Sequence, residues 1–213
     1  MRDPDSIAAR FGIADCHETK VPPRFNIAPS HVVPVVVEGT DGRALRLMRW
    51  GFQPAWMKQP RGPPINARAE TLVERPLFRS ALARGRCLIP ADGFYEWVDR
   101  PGQKSKQPVY IRLLGGPVFG FAGLYTTDPH GEPTCAIVTT AANHFIRPLH
   151  HRMPVILDPA AEADWLDPAL EDPTAAPACL RPVPAGRMEA YPVGSGVSSA
   201  RNDGPQLVLP LDG

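Results

Sequence analysis

The stretch VVPVVVEGTDGRALRLMRW, residues 32–50, decides the fold class. Two runs rich in β-branched and apolar residues, 32–37 and 43–50, flank EGTDG, whose Asp-Gly pair is a strong short-range signal for a hairpin turn. Pro34 has no backbone N–H to donate, so it predicts that the first strand is an edge strand or that pairing starts there. Working outward, further strand-like runs fall at 86–90, 94–98, 108–114, 118–125, 134–139 and 153–157. Helices are few and short. Asp3-Pro4-Asp5-Ser6 is a helix start with acids at the positive end of the dipole, running to Phe11 and stopping at Gly12. ERPLFRSALAR, 74–84, places Leu77, Phe78, Ala81 and Leu82 on one face and ends at Gly85, and AAEADWL, 160–166, is a third helix. The expected fold is α+β: one β-rich mixed domain over residues 1–213 with peripheral helices.

Composition narrows the function classes. The 27 prolines exceed twice the usual share of roughly 5%, but they are interleaved with apolar runs, as many short strands and turns require. Only 168–187 has the composition of a disordered stretch. A net charge of +1 announces no global polyanion partner, so any basic surface must be local. Cys16, Cys87, Cys135 and Cys179 form no CxxC pair, which argues against a zinc ribbon and for a reducing compartment. The absence of an apolar run near 18 residues predicts no membrane span, and the expected location is the cytoplasm, at the nucleoid.

Chemistry concentrates in four segments: FNIAPS (25–30), RWGFQPAW with INARAET (49–56 and 65–71), ADGFYEW (91–97) and LHHRMPVIL (149–157). In ADGFYEW, residues 91–97, Glu96 lies among Phe94, Tyr95 and Trp97, and a carboxylate held in apolar surroundings resists ionisation. In INARAE, Asn66, Arg68 and Glu70 would share one strand face, as a solvated edge or as a positioned amide beside a phosphate fork. Between Trp50 and Trp56, GFQPA reads as a loop. Trp50 fits a core, whereas Trp56 fits an exposed ring on which bases can stack. In LHHRMP, adjacent histidines on a strand would face opposite ways, so one of His150 and His151 could serve a pocket as a proton relay. No third ligand stands at metal-site spacing. Cys87 and Cys135 lie inside apolar strands as structural thiols, while Cys16 sits in a loop between acids that would raise its pKa.

Together and in order, Asn26-Ile27-Ala28-Pro29, Arg49-Trp50-Gly51, Asn66-Ala67-Arg68-Ala69-Glu70-Thr71, Ala91-Asp92-Gly93-Phe94-Tyr95-Glu96-Trp97 and His150-His151-Arg152-Met153-Pro154 resemble the SRAP family of SOS-response-associated peptidases and abasic-site processing proteins. Asn202-Asp203-Gly204-Pro205 resembles that family's closing segment. The resemblance implies a protein that binds abasic sites in single-stranded DNA as a monomer, without metal or cofactor. Its N-terminal cysteine, exposed by autoproteolytic removal of the initiator Met, forms a thiazolidine crosslink with the opened sugar. It further implies that Glu96 and His150 handle protons and that Asn66 orients the N-terminal residue. Arg68 would grip phosphate, and Pro29, Trp56, Met57, Trp97 and Thr139 would belong to the DNA-binding surface. The chain departs from the family at its start. Members open Met-Cys-Gly-Arg, this sequence opens Met1-Arg2-Asp3, and Cys16 carries no free α-amine. The expectation is that the nucleophilic cysteine lies upstream of this start and that the chain as read is inactive. A catalytically silent DNA-binding module and a cysteine hydrolase using Cys87 or Cys135 with His150 are the alternatives.

Overall fold

The computed structural model describes residues 3–14, 22–58, 62–170 and 176–211. Helix α1 (Pro4–Phe11) begins where Asp3 accepts the Ser6 N–H at 2.9 Å and ends at Gly12, whose φ of 67° is the left-handed cap that glycine supplies cheaply. The hairpin follows as β1 (Val32–Gly39) and β2 (Gly42–Trp50), with Gly39 opposite Gly42. Next come β3 (Asn66–Arg68), α2 (Pro76–Arg84), β4 (Arg86–Ala91), β5 (Phe94–Val98), β6 (Gln107–Leu113), β7 (Phe119–Thr127) and β8 (Pro133–Ala141). The chain closes with β9 (Arg152–Pro154), β10 (Ile156–Leu157), α3 (Pro159–Leu166) and β11 (Met188–Pro192).

The first sheet runs β10-β7-β4-β1-β2-β8-β3, and β7 also pairs with β8, so β4, β1, β2, β8 and β7 close a ring. β8 changes partners halfway along: Cys135 lies between Trp50 of β2 and Tyr125 of β7, whereas Thr139 lies between Arg68 of β3 and Pro154 of β9. That far end, bordered by two three-residue strands, is where polar side chains converge. The second sheet, β11-β6-β5, is antiparallel.

Alternation along the strands builds two cores. Leu88, Ala136 and Val138 join Ile7 and Phe11 of α1, Leu82 of α2 and Trp165 of α3. Cys87, Cys135 and Ile137 join Val109, Ile111 and Leu113 of β6 instead. The first sheet is thus covered by helices on one face and by the second sheet on the other, which explains why its strands read as nearly continuous apolar runs. Arg86 ties the helix layer down: its guanidinium donates to the carbonyls of Leu82 and Ala83, at the end of α2, and of Trp165 and Asp167, at the end of α3. The Leu82, Ala83 and Trp165 carbonyls lie in the last turns of their helices, where no helical N–H reaches them, and the Asp167 carbonyl also accepts the Leu170 N–H.

Two expectations are corrected. Pro34 is not on an edge, because β1 lies between β2 and β4. It is tolerated because β1 and β4 are bridged at Val36–Leu88, and two residues further along each strand Pro34 would come opposite Pro90, where no N–H exists to be lost. The 168–187 region is structured over its described part, with 3-10 turns at Ala176–Cys179 and Ala185–Arg187, and it buries Leu180 and Val183 in the two cores.

Candidate functional site

The end of β4, the turn at Asp92-Gly93 and β5 carry the segment ADGFYEW past a cavity of about 480 Å³. Its entry depends on Gly93, where a Cβ would collide with the Tyr110 ring. Strand alternation sets Glu96 on the same face as Phe94, which stacks edge-on against Phe121, and turns Tyr95 and Trp97 the other way. Those two are fastened outside the carboxylate's face: the Tyr95 hydroxyl donates to the Phe25 carbonyl at 2.8 Å and Trp97 Nε1 to Ser198 Oγ at 2.9 Å. Of the three rings expected around Glu96, Phe94 shares its face.

Glu96 Oε1 lies 3.8 Å from His150 Nδ1, beyond hydrogen-bond range. Burial raises the Glu96 pKa above its ordinary 4.5, and the His150 charge works against that rise. His150 is placed by its own loop. Nδ1 is 3.1 Å from the Arg152 N–H and 3.0 Å from the Arg152 carbonyl, so it can accept from the first when bare and donate to the second when protonated. Either protonation state therefore finds a local partner. The two histidines precede β9 and do not lie on a strand as expected, and their rings are in contact at 4.4 Å.

Arg152 anchors this loop to the first sheet. It takes both oxygens of Glu70 at 2.8 and 3.0 Å and donates to the Thr139 carbonyl at 2.6 Å and to Thr139 Oγ1 at 3.2 Å. The bidentate pair holds Glu70 below the usual carboxylate range, against the cost of its partial burial. The opposite wall is a clamp between distant segments. The Asn26 amide donates to the carbonyls of Val197, Ser199 and Asn202, and Asp203 accepts the N–H groups of Phe25 and Asn26. Burial opposes charge on Asp203, but these N–H groups and Arg24 keep its pKa low. The family-like segments Asn26-Ile27-Ala28-Pro29 and Asn202-Asp203-Gly204-Pro205 thus hold each other. A neighbouring cavity shares Phe25, Asp92 and Tyr110 with the first and is lined by Asp3, so the start of the described chain lies beside the site.

Of the residues expected to act, Glu96, His150, Asn66, Pro29, Trp97 and Thr139 line the cavity, and Arg68, Trp56 and Met57 do not. Thr139 is buried and engaged by Arg152. Arg68 is exposed on β3, two residues beyond Asn66, and Trp56 is 66% exposed on its loop. Arg152 and the Asn26–Asp203 clamp were given no role from sequence. The match between the family-like segments that carry them was their only signal. Cys87 and Cys135 are fully buried and line no part of the cavity; burial raises both thiols, Cys135 to about 12. Such thiols are inert, as expected. Met1, Arg2, Cys16 and His17 lie outside the described residues, and among the described residues no cluster of His, Cys, Asp or Glu could hold a metal.

A family model described as SOS response associated peptidase (SRAP) matches residues 1–200. The Bacillus subtilis protein named Abasic site processing protein YoqW is 42% identical over 211 residues, covering 96% of this chain and 94% of its own. Abasic site processing protein YedK of Escherichia coli is 33% identical over 192 residues, covering 88% and 85%. An X-ray structure of a Bacteroides thetaiotaomicron protein superposes with a TM-score of 0.84 at 26% identity, covering 98% of this chain and 96% of that one.

Proposed function

Because this chain belongs to the SRAP family, we propose that the cavity beside β5 processes abasic sites in single-stranded DNA, with Glu96 and His150 moving the protons. The observation that carries this reading is a desolvated carboxylate within 3.8 Å of an imidazole whose Nδ1 has both a donor and an acceptor at hand. Burial favours the protonated form of Glu96, and an imidazole is a group that can both take and give a proton. An abasic sugar is a closed hemiacetal. Glu96 protonates the ring oxygen as the hydroxyl proton leaves to base, and the ring opens to an aldehyde.

The partner nucleophile is the N-terminal cysteine that the family's Met-Cys-Gly-Arg opening supplies once Met is removed. Its α-amine, appreciably neutral at pH 7 to 8 where a lysine of pKa about 10.4 is charged, adds to the aldehyde carbon. The proton that the adding amine sheds returns to Glu96, which passes it to the carbinolamine hydroxyl, and the hydroxyl departs as water, leaving a Schiff base. The thiolate of the same residue then attacks the imine carbon, nitrogen keeps the electron pair and gains a proton, and a thiazolidine closes. Amine and thiol on one residue make that closure intramolecular. Asn66 at the cavity wall orients the incoming residue, and the position of Asp3 beside the site supports delivery of an N-terminal group into it.

The test is a denaturing gel with single-stranded DNA carrying one abasic site, run with this chain and with a version opening Met-Cys-Gly-Arg. A shifted band that survives heating is expected for the version with the cysteine. Its absence from both, with reversible binding intact, overturns the crosslinking assignment in favour of a binding module.

A further inference from the structure

The segment between β5 and β6, residues 99–106, is DRPGQKSK and is exposed throughout. It carries Arg100, Lys104 and Lys106 against the single acid Asp99, in a chain whose whole net charge is +1. Lys106 pairs with Asp99 at 3.2 Å across the base of the hairpin, and Arg100 is held by Gln103 at 3.1 Å. Lys104 has no ion-pair or hydrogen-bond partner among the described residues. Placement gives these charges meaning. Trp97, two residues before Asp99, lines the cavity and is 38% exposed, so the hairpin rises from the cavity's rim. Its tip at Gly102 is five residues further on, a reach of at most about 17 Å. Ser198 and Ala200 line the same part of the cavity, and exposed Arg201 follows them. On the other sheet, exposed Arg68 follows Asn66 at the cavity wall.

Resting on the function proposed above, we infer that the β5–β6 hairpin is a backbone-binding arm, which holds the phosphates of single-stranded DNA flanking an abasic site on the Trp97 side of the cavity. Lysines on an edge hairpin also discourage strand pairing between molecules, since β5 ends its sheet. That role needs no nucleic acid, and it makes a different prediction. Phosphate neutralisation releases counterions, and each cation engaged steepens the salt dependence of single-strand binding by about 0.7 in logarithmic slope.

The experiment measures anisotropy of a labelled single strand carrying a central tetrahydrofuran, an abasic analogue that cannot open to an aldehyde, over a salt series. The wild-type chain is compared with a triple variant, R100Q with K104Q and K106Q, and with the charge-keeping triple R100K, K104R and K106R. The neutral variant should lose about 2 from the slope and bind at least tenfold more weakly at 0.1 M salt, while the charge-keeping variant retains the wild-type slope. Binding by all three with one slope overturns the arm and leaves the site assignment standing. Failure of the wild-type chain to bind overturns the assignment and the arm with it.

Discussion

Glu162 is 1% exposed and receives two N–H groups of the Arg10 guanidinium at 2.7 and 3.1 Å, whereas Glu96 is 22% exposed and meets His150 at 3.8 Å. Both are glutamates withdrawn from water beside a basic residue. The first pair is complete. It joins α1 to α3, and each carboxylate oxygen accepts a guanidinium N–H. The second pair is left short of a hydrogen bond, so desolvation acts on a carboxylate that no donor fully compensates. A carboxylate that can hold or release a proton at small cost is what acid–base chemistry requires, and a stability-optimised pair is not.

The largest effect should come from breaking the complete pair. Glu162→Gln removes one charge and leaves Arg10 partly buried, so unfolding free energy should fall by about 3 kcal/mol, read from urea denaturation. The double variant Arg10→Met with Glu162→Met should regain most of that loss, since two apolar chains carry no unpaired charge. A single-variant loss below about 1 kcal/mol would put the pair in the class of surface bridges.

Glu96→Gln should do the reverse. In the version opening Met-Cys-Gly-Arg, the crosslinking rate should drop about a hundredfold, the usual weight of a general acid, while stability at neutral pH is not reduced. An unchanged rate removes Glu96 from the chemistry. Between these two lies the clamp. Asn26→Ala removes the amide that bonds three carbonyls, of which Ser199 keeps the Asn202 N–H, and should cost about 2 kcal/mol, with faster proteolysis at residues 196–203. Stability within 0.5 kcal/mol of wild type, on the order of measurement error, would show that water replaces the amide without loss.

The contrast also explains what could be read from the chain in advance. The first hairpin, the caps of α1 and the strands bearing Cys87 and Cys135 were legible because local signals, Asp-Gly turns, Asp3, Gly12 and apolar runs, agree with the packing. β11 was not, because MEAYP gains its strand character from pairing with β6, which nothing local announces. Pro34 misled for a similar reason: only the register reveals that Pro90 would face it. At the site, Glu96 and His150 stood out as residue types, but their separation comes from a β5 face and a loop before β9 that the fold brings together. Glu162 offered no signal, since its partner lies 152 residues away. Asn26 and Asp203 are separated by 177, so a side chain that looks like part of a binding motif proves to be a tie between loops.

The smallest effect is the one that separates the carboxylates by sign. Glu70, held low by Arg152, stabilises the fold above its ordinary range, and that contribution is lost as pH falls through its depressed folded pKa. Glu96 runs the other way. Its folded pKa is raised, so between its ordinary 4.5 and the raised value the native state binds more protons than the unfolded chain. Stability attributable to Glu96 is therefore complete below 4.5 and is lost as pH climbs through that window. Urea denaturation of wild type and Glu96→Gln across pH 4 to 8 should give curves that converge at the acid end, with the variant gaining on wild type as pH rises. A difference that stays constant with pH would mean that Glu96 titrates as it does in the unfolded chain. Its place beside His150 would then impose no cost on its charge, and the distinction from Glu162 would rest on partner geometry alone.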